Sequence, residues 1–461
     1  MLFSEVLPTI SYDDVLLVPY HSDMKSRSEG NPSTNWGHSL PIIMSPMNTV
    51  DSGRMMKLFV DQNLIATIHR YFMSAEDQLN YVKKQITLAC FDEEKENESI
   101  ESIDKVISQK EIDQYISKIY FAIGSVYKYK DWIDYLHKSG VTHFLVDMAH
   151  GDTTACEETV RYIRNFGDRE HIKIIAGNVA TRGGYRRLRD AGADGIRVGI
   201  GGGSICSTRT STGFGVPTLA SIIDCNDVKC DTFMIADGGI KTSGDIAKAI
   251  RFGADYVMCG KLLAWTEYAC GALYNSKEQV IKDCPIIKDE EVNQYKKILH
   301  LLETNPEYII DLCEQTPRKE DNIVPIIIQN KYISNGPIIP PTNTILAEQS
   351  VIDVKAKHIK QIIDNYLADH LVVMRGYCGM ASREARGTVL SYSSVEGKSG
   401  LIKYTGSTIQ LLTDIKLNLQ ASLSYGGSRN WNEFRQNVKC IKVTQSGIDE
   451  SNTHLDKTFS N

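Results

Sequence analysis

Eight short apolar runs punctuate the chain, at residues 41–45, 64–69, 119–124, 143–149, 172–179, 195–200, 232–237 and 256–263. Several are almost continuously apolar, as in FLVDMA, IKIIAGNV and YVMCGKLL. A strand solvated on one face alternates apolar and polar side chains; one covered on both faces does not. The runs therefore read as strands of a parallel sheet buried under helices. Helical patterns fill the gaps, for example at 75–88, 154–165, 183–191 and 243–252. Two of them end alike, in Asp190-Ala-Gly-Ala-Asp194 and Arg251-Phe-Gly-Ala-Asp255. A glycine there takes the left-handed conformation that closes a helix before the next strand. Eight alternations predict an α/β fold, a (β/α)8 TIM barrel. A doubly wound open sheet is the alternative, but no Gly-x-Gly-x-x-Gly follows the first run.

The rhythm breaks between 271 and 371. That stretch holds polar helical patterns and the Pro-rich segment Asn335-Gly-Pro-Ile-Ile-Pro-Pro-Thr342. A structureless loop of that length is foreign to a compact domain. The expected organisation is a barrel from 1–270 and 372–445, with a large insertion after the eighth strand. Residues 271–371 would form a subdomain at a barrel end, or else an extended arm. The polar residues 446–461 read as a flexible tail.

Composition narrows the function classes. Of 461 residues, 51 are basic and 57 acidic, a net charge of −6. With no Lys/Arg-rich run, nucleic acid is not an expected partner. No apolar stretch approaches the roughly 18 residues of a membrane span, so no membrane partner is expected. The N-terminus lacks the basic and apolar regions of a secretory leader. The eleven cysteines form no Cys-x-x-Cys pair and no zinc-spaced Cys/His cluster. Reduced thiols in a cytoplasmic protein are the expectation.

Three segments could carry chemistry. The first runs from Val198 to Gly215 and begins at the sixth apolar run. On a barrel it would lie at the C-terminal, catalytic face. Gly199, Gly201, Gly202 and Gly203 allow backbone to approach a ligand or ion closely. Cys206 follows on a polar loop near Arg209, a setting that favours the nucleophilic thiolate. A flexible loop around a structural cysteine fits the same composition. The second segment, Ile235-Ala-Asp-Gly-Gly-Ile240, ends the seventh run. Its carboxylate could accept two ribose hydroxyl protons, and its amides could reach a phosphate. Asp-Gly-Gly is also a common turn. In the third, Gly260 opens the loop after the eighth run, where phosphate sites of this fold are frequent.

Together these segments resemble the IMP dehydrogenase/GMP reductase family over roughly 1–270 and 372–445. The matching pieces are SYDDVLLVP (11–19), KSRSEG (25–30), LPIIMSPMNTV (40–50), ATIHRY (66–71), AGNVATRGG (176–184), VGIGGGSICSTRTSTGFGVP (198–217), IADGGIKTSGDIAKAI (235–250) and YVMCGKLLA (256–264). Details resemble the reductases more than the dehydrogenases. Only 71–118 stands where dehydrogenases usually carry paired regulatory modules. Thr208–Gly213, Gly379-Met-Ala-Ser382, Ser394-Val-Glu-Gly-Lys398 and the C-terminal blocks at 414–427 and 442–444 match reductase motifs. Departures are Ser393-Ser394-Val395 where reductases have Arg-Ala-Ser, Arg70 in place of a lysine, and the insertion itself.

The resemblance implies a GMP reductase-like oxidoreductase. Cys206 would attack C2 of the purine, with Thr208 and Glu396 moving protons to the departing amine. Ser204, Asp237, Gly238, Gly239, Gly260, Lys261, Gly379, Met380, Ala381 and Gly397 would hold the nucleotide. Ser26, Arg27, Arg70, Asp147, Ala149, Ala421, Ser422, Leu423 and Ser424 would hold NADPH, the arginines supplying charge for its 2′-phosphate. Backbone carbonyls of Gly201, Gly203 and Cys206 match a monovalent-cation site, with potassium the implied ion. A homotetramer is implied. Two alternatives stay open: an IMP dehydrogenase or C2 chemistry on another purine nucleotide, deoxy or modified, and a non-catalytic nucleotide-binding regulator.

Overall fold

The computed structural model describes residues 9–94, 108–274, 374–378 and 398–450. Every one of the eight apolar runs holds a strand: β2 (Ile42–Met44), β3 (Ala66–Ile68), β4 (Ile119–Ile123), β5 (His143–Asp147), β6 (Lys173–Val179), β7 (Gly195–Val198), β8 (Phe233–Asp237) and β9 (Tyr256–Cys259). They pair in parallel in the order β2-β9-β8-β7-β6-β5-β4-β3. A bridge from Ile43 to Ile65, the Met44 amide on the Ile65 carbonyl at 3.1 Å, and the Thr67 hydroxyl on the Met44 carbonyl at 2.8 Å bring the two ends together. The sheet is nearly closed into a barrel with helices between its strands, the expected (β/α)8 architecture.

The helices start and stop for local reasons. Side chains of Ser52, Ser125, Thr153, Thr181 and Thr242 accept first-turn amides of α1 (Gly53–Asp61), α4 (Val126–Lys138), α5 (Thr154–Arg164), α6 (Arg182–Ala191) and α9 (Ser243–Arg251). Each such cap contributes about 1 kcal/mol. Gly192 and Gly253, the two glycines of the repeated punctuation, sit at φ of 108° and 122°. Other helices follow β3 (α2, Ala75–Glu94, and α3, Gln109–Ile116), β7 (α7, Thr208–Thr212, and α8, Thr218–Asn226) and β9 (α10, Lys261–Ala264). The described chain continues with α11 (Thr408–Tyr425), α12 (Trp431–Asn437) and α13 (Gln445–Asp449). Thr444 caps α13, so the expected tail begins as helix.

Two pairings join distant segments. Strand β1 (Val15–Val18) runs antiparallel to β13 (Lys439–Lys442). Strands β10 (Leu273–Tyr274), β11 (Met374–Cys378) and β12 (Ser399–Lys403) form a three-stranded sheet. The chain divides into two compact units. The described residues of the first are 9–94, 108–271, 377–378, 398–400 and 407–450; those of the second are 272–274, 374–376 and 401–406. Most of the expected insertion, from 275 to its end at 371, lies outside the described residues. No described helix is long and apolar enough to cross a membrane.

The barrel interior is apolar. Ile43, Leu145, Ile175, Ile235 and Met258 share a core cluster with Tyr120, Phe233 and Tyr256. At the N-terminal mouth, His38 Nδ1 meets the Tyr256 hydroxyl at 2.6 Å, and the His143 ring stands edge-on to Tyr120. Burial favours neutral imidazoles. It depresses His38 below its ordinary value, and it takes His143, with help from Lys173 and His38, from 6.5 down to about 4. A histidine depressed on folding takes up a proton more readily in the unfolded chain. Its stabilising contribution is complete above 6.5 and drains away as pH falls toward about 4. The thermal midpoint should therefore drop between about pH 7 and about pH 4.5. His143→Asn, which cannot titrate, should lose measurably less over that interval. Equal losses in calorimetric scans of the two proteins would contradict this.

Candidate active site

A cavity of about 370 Å³ opens at the C-terminal ends of the barrel strands. Its walls come from the loop after β2 (Ser45–Met47), Arg70 and Tyr71 after β3, Asp147–Ala149 at the end of β5, and Asn178 on β6. Opposite stand Arg197 on β7, the loop from Gly199 to Cys206 with Thr208, Asp237–Lys241, Gly260–Lys261, and Tyr377 of β11.

The loop after β7 needs its glycines because backbone packs on backbone. At Gly199 φ is 146°, and a Cβ there would lie 2.0 Å from the Asp237 carbonyl oxygen. Gly238 has φ of 97°, and its Cβ would lie 2.8 Å from atoms of both Gly202 and Gly203. The two Gly-rich segments are thereby pressed together across neighbouring strands. Cys206 is exposed at the end of the loop, its amide on the Gly203 carbonyl at 3.1 Å. Its Sγ lies 3.1 Å from Thr208 Oγ1, the hydroxyl that the family resemblance led us to expect in proton transfer. Arg209 Nη2 donates to the Val216 carbonyl at 2.9 Å, and the arginine stem lies against Gly201 and Gly215. This arginine thus braces the loop.

The floor of the cavity is an ion network. Arg197 Nη1 donates to Asp147 Oδ1 at 2.5 Å; its Nε and Nη2 donate to Asp237 Oδ2 at 3.1 and 2.8 Å. Asn178 Nδ2 adds a third donor to that oxygen at 2.7 Å and also reaches the Gly199 carbonyl at 2.8 Å. Arg70 Nε donates to Asp147 Oδ2 at 3.2 Å, and its guanidinium lies over the Tyr71 ring at 4.8 Å. Burial alone would push the Asp147 carboxyl up. Arg197 and Arg70 outweigh it and hold the group below the usual carboxylate range. Arg70, expected to meet a cofactor phosphate, is thus already paired with Asp147.

Of the residues singled out from the sequence, Ser204, Cys206, Thr208, Asp237, Gly238, Gly239, Gly260 and Lys261 line this cavity, with Arg70, Asp147, Ala149, Gly201 and Gly203. Another group gathers elsewhere. Arg27 meets α11, where its guanidinium lies 5.6 Å from the Tyr425 ring centre, and Gly30 packs on Leu423. Neither Ser26, Arg27 nor any of Ala421–Ser424 lines the cavity, and the Leu423 side chain is fully buried. Gly379, Met380, Ala381, Glu396 and Gly397 lie outside the described residues.

Sequence reasoning passed over Arg197, Asn178 and Tyr377 as site residues. The first left a signal, a lone arginine inside the apolar run Gly-Ile-Arg-Val-Gly-Ile. Such a charge is rarely buried without partners. The Tyr377 hydroxyl bonds with Ser204 and sits where a Cβ on Gly260 would come within 2.8 Å. Burial, partly offset by that bond, pushes its phenol up to about 12, so it stays protonated and can donate.

Comparison with known proteins agrees with this geometry. The family profile described as the IMP dehydrogenase / GMP reductase domain matches residues 9–285 and 365–454. A protein of Staphylococcus carnosus (strain TM300) named GMP reductase is 34% identical over 267 residues, covering 56% of this chain and 72% of that protein. A GMP reductase of Staphylococcus epidermidis (strain ATCC 12228 / FDA PCI 1200) is 33% identical over 272 residues, with the same shares. One of Staphylococcus aureus (strain JH9) is 32% identical over 271 residues, again with those shares. Both enzymes in the family's description are oxidoreductases. The chain belongs to the IMP dehydrogenase / GMP reductase family.

Proposed function

We propose that this protein is a GMP reductase, converting GMP to IMP and ammonia at the expense of NADPH. The observation that carries the reading is the Cys206–Thr208 pair, with Sγ and Oγ1 3.1 Å apart, on the wall of a cavity floored by Asp237, Gly238 and Gly239. The relatives named GMP reductase support it.

In this reading Cys206 adds to C2 of guanine and the exocyclic amine leaves, protonated, as ammonia. The new C–S bond replaces the C–N bond, so a poor leaving group departs in a step separate from reduction. Thr208 takes the thiol proton, and Glu396 completes the relay to the amine. Chain connectivity favours that role. The Lys398 amide holds the Ile205 carbonyl at 3.0 Å, which sets the chain two positions beyond the Glu396 motif residue beside the loop of Cys206. Bound NADPH would supply the hydride for C2, and Cys206 would then leave as thiolate.

The nucleotide is held by Asp237 at the ribose. Gly238, Gly239, Gly260, Ser204, Tyr377 and Lys261 serve the phosphate, and Gly379, Met380, Ala381 and Gly397 the base. The cavity side of the cofactor site is Asp147 to Ala149 with Arg70. The Ser26–Arg27 and Ala421–Ser424 patch serves the far end. That patch does not line the cavity, so the homotetramer is the form in which a neighbouring copy can bring it there. Carbonyls of Gly201, Gly203 and Cys206 provide neutral oxygens suited to potassium. The Gly203 carbonyl already accepts the Cys206 amide and keeps a second lone pair for an ion. The protein is proposed to work in the cytoplasm.

Purified protein given GMP and NADPH should consume NADPH and release equal ammonia. IMP with NAD should form no NADH at a comparable rate. The opposite pattern would make the protein a dehydrogenase. Cys206→Ala should lose at least about 10³-fold in kcat while still binding GMP. Substantial turnover by that variant would exclude the covalent route.

Glu396→Gln should slow single-turnover deamination by about 10²-fold or more and hydride transfer much less, because only the first step expels an amine. Equal slowing of both steps would make Glu396 a positioning group.

A further inference from the structure

We infer that Arg197 is a positioning residue that fixes the sugar selectivity of the site, by locking Asp237 so that one carboxylate oxygen is presented to a ribose hydroxyl. The inference rests on the reading of the cavity as a purine-nucleotide site.

Asp237 Oδ2 receives three donors, Arg197 Nε, Arg197 Nη2 and Asn178 Nδ2, at 3.1, 2.8 and 2.7 Å. Asp237 lines the cavity, and its Oδ1 is not among the buried polar atoms left without a partner. Three bonds to one oxygen of a planar group fix the direction of the other. The saturated oxygen faces the protein, and Oδ1 remains to accept from a ligand hydroxyl.

Arg197 is itself held. Its third nitrogen donates to Asp147 Oδ1 at 2.5 Å, and Asp147 Oδ2 is occupied by Arg70. Room for the arginine stem is built into the next strand. Gly177 stands opposite Arg197 in the β6–β7 register, and a Cβ there would lie 2.6 Å from the Arg197 Cβ. A buried ionic group is seldom a better core filler than an apolar side chain. Its position between two cavity-lining carboxylates points instead to orientation. A planar fork can serve both acids at once; a lysine ammonium, as a point charge, cannot reproduce that geometry.

The test is equilibrium titration of GMP, 2′-deoxy-GMP and 3′-deoxy-GMP into wild-type protein and Arg197→Lys, alongside urea unfolding of each. Wild type should prefer GMP over at least one deoxy analogue by about tenfold or more, since a site built to accept a hydroxyl proton penalises its absence. In Arg197→Lys that preference should shrink to within about threefold, through lost GMP affinity rather than gained affinity for the analogue. Should Arg197→Lys fail to fold, Asn178→Ala removes one of the three donors and should narrow the same ratio by a smaller factor. A folded Arg197→Lys, or in its absence Asn178→Ala, with the wild-type ratio overturns the inference, even with altered urea stability. Wild type that binds no purine nucleotide overturns the site reading and this inference with it. Wild type that binds GMP and the analogues equally overturns this inference alone.

Discussion

The cavity depends on one buried guanidinium. Arg197 ties the end of β5, through Asp147, to the end of β8, through Asp237. Removing a charge from water costs several kcal/mol, and a buried pair recovers this only with good geometry and satisfied hydrogen bonds. Here burial works against the arginine's charge, and the two carboxylates more than offset it. Each acid is held in turn, Asp147 by Arg70 and Asp237 by Asn178. Loss of the central cation would leave two carboxylates facing each other at the mouth of the barrel. Breaking such a pair costs about 3–5 kcal/mol.

The loop carrying Cys206 is rich in glycine, yet Gly199, Gly202 and Gly203 are packed against backbone or side chain of the Asp237–Gly238 segment and Thr218. The thiol is exposed at the end of a loop whose base, Gly199, is buried. That suits the nucleophile proposed above, which would form and then release a bond to carbon within one turnover. Tyr377 adds a neutral donor on the far wall, beside Ser204 and Gly260.

Much of this was legible in the sequence because it is local. The eight strands are continuous apolar runs, and the helix ends at Gly192 and Gly253 carry their own backbone signature. Edges were less so. The run over 256–263 reads as one segment, yet the strand stops at Cys259 and Lys261–Ala264 is helical, because the turn begins at Gly260. The pairing of β1 with β13 joins residues more than four hundred positions apart and has no local mark. Within the site, motif spacing found Cys206, Thr208 and Asp237, which lie on one cavity. It did not find Arg197, whose meaning lies in ion-pair partners on two other strands, β5 and β8, and in a room-making glycine on a third, β6. Nor could it separate the Ser26–Arg27 and Ala421–Ser424 patch from the cavity, since both carry family motifs.

The central claim is a covalent bond between Cys206 and purine C2, and it can be read directly by mass. Protein mixed with GMP, without NADPH, is quenched in acid and its peptides are weighed. The account predicts that the peptide bearing Cys206 gains the mass of GMP less ammonia, that the gain maps to the cysteine sulfur, and that adding NADPH before the quench removes it. An unmodified Cys206 peptide under conditions where the enzyme turns over GMP, or a label on another residue, would contradict it.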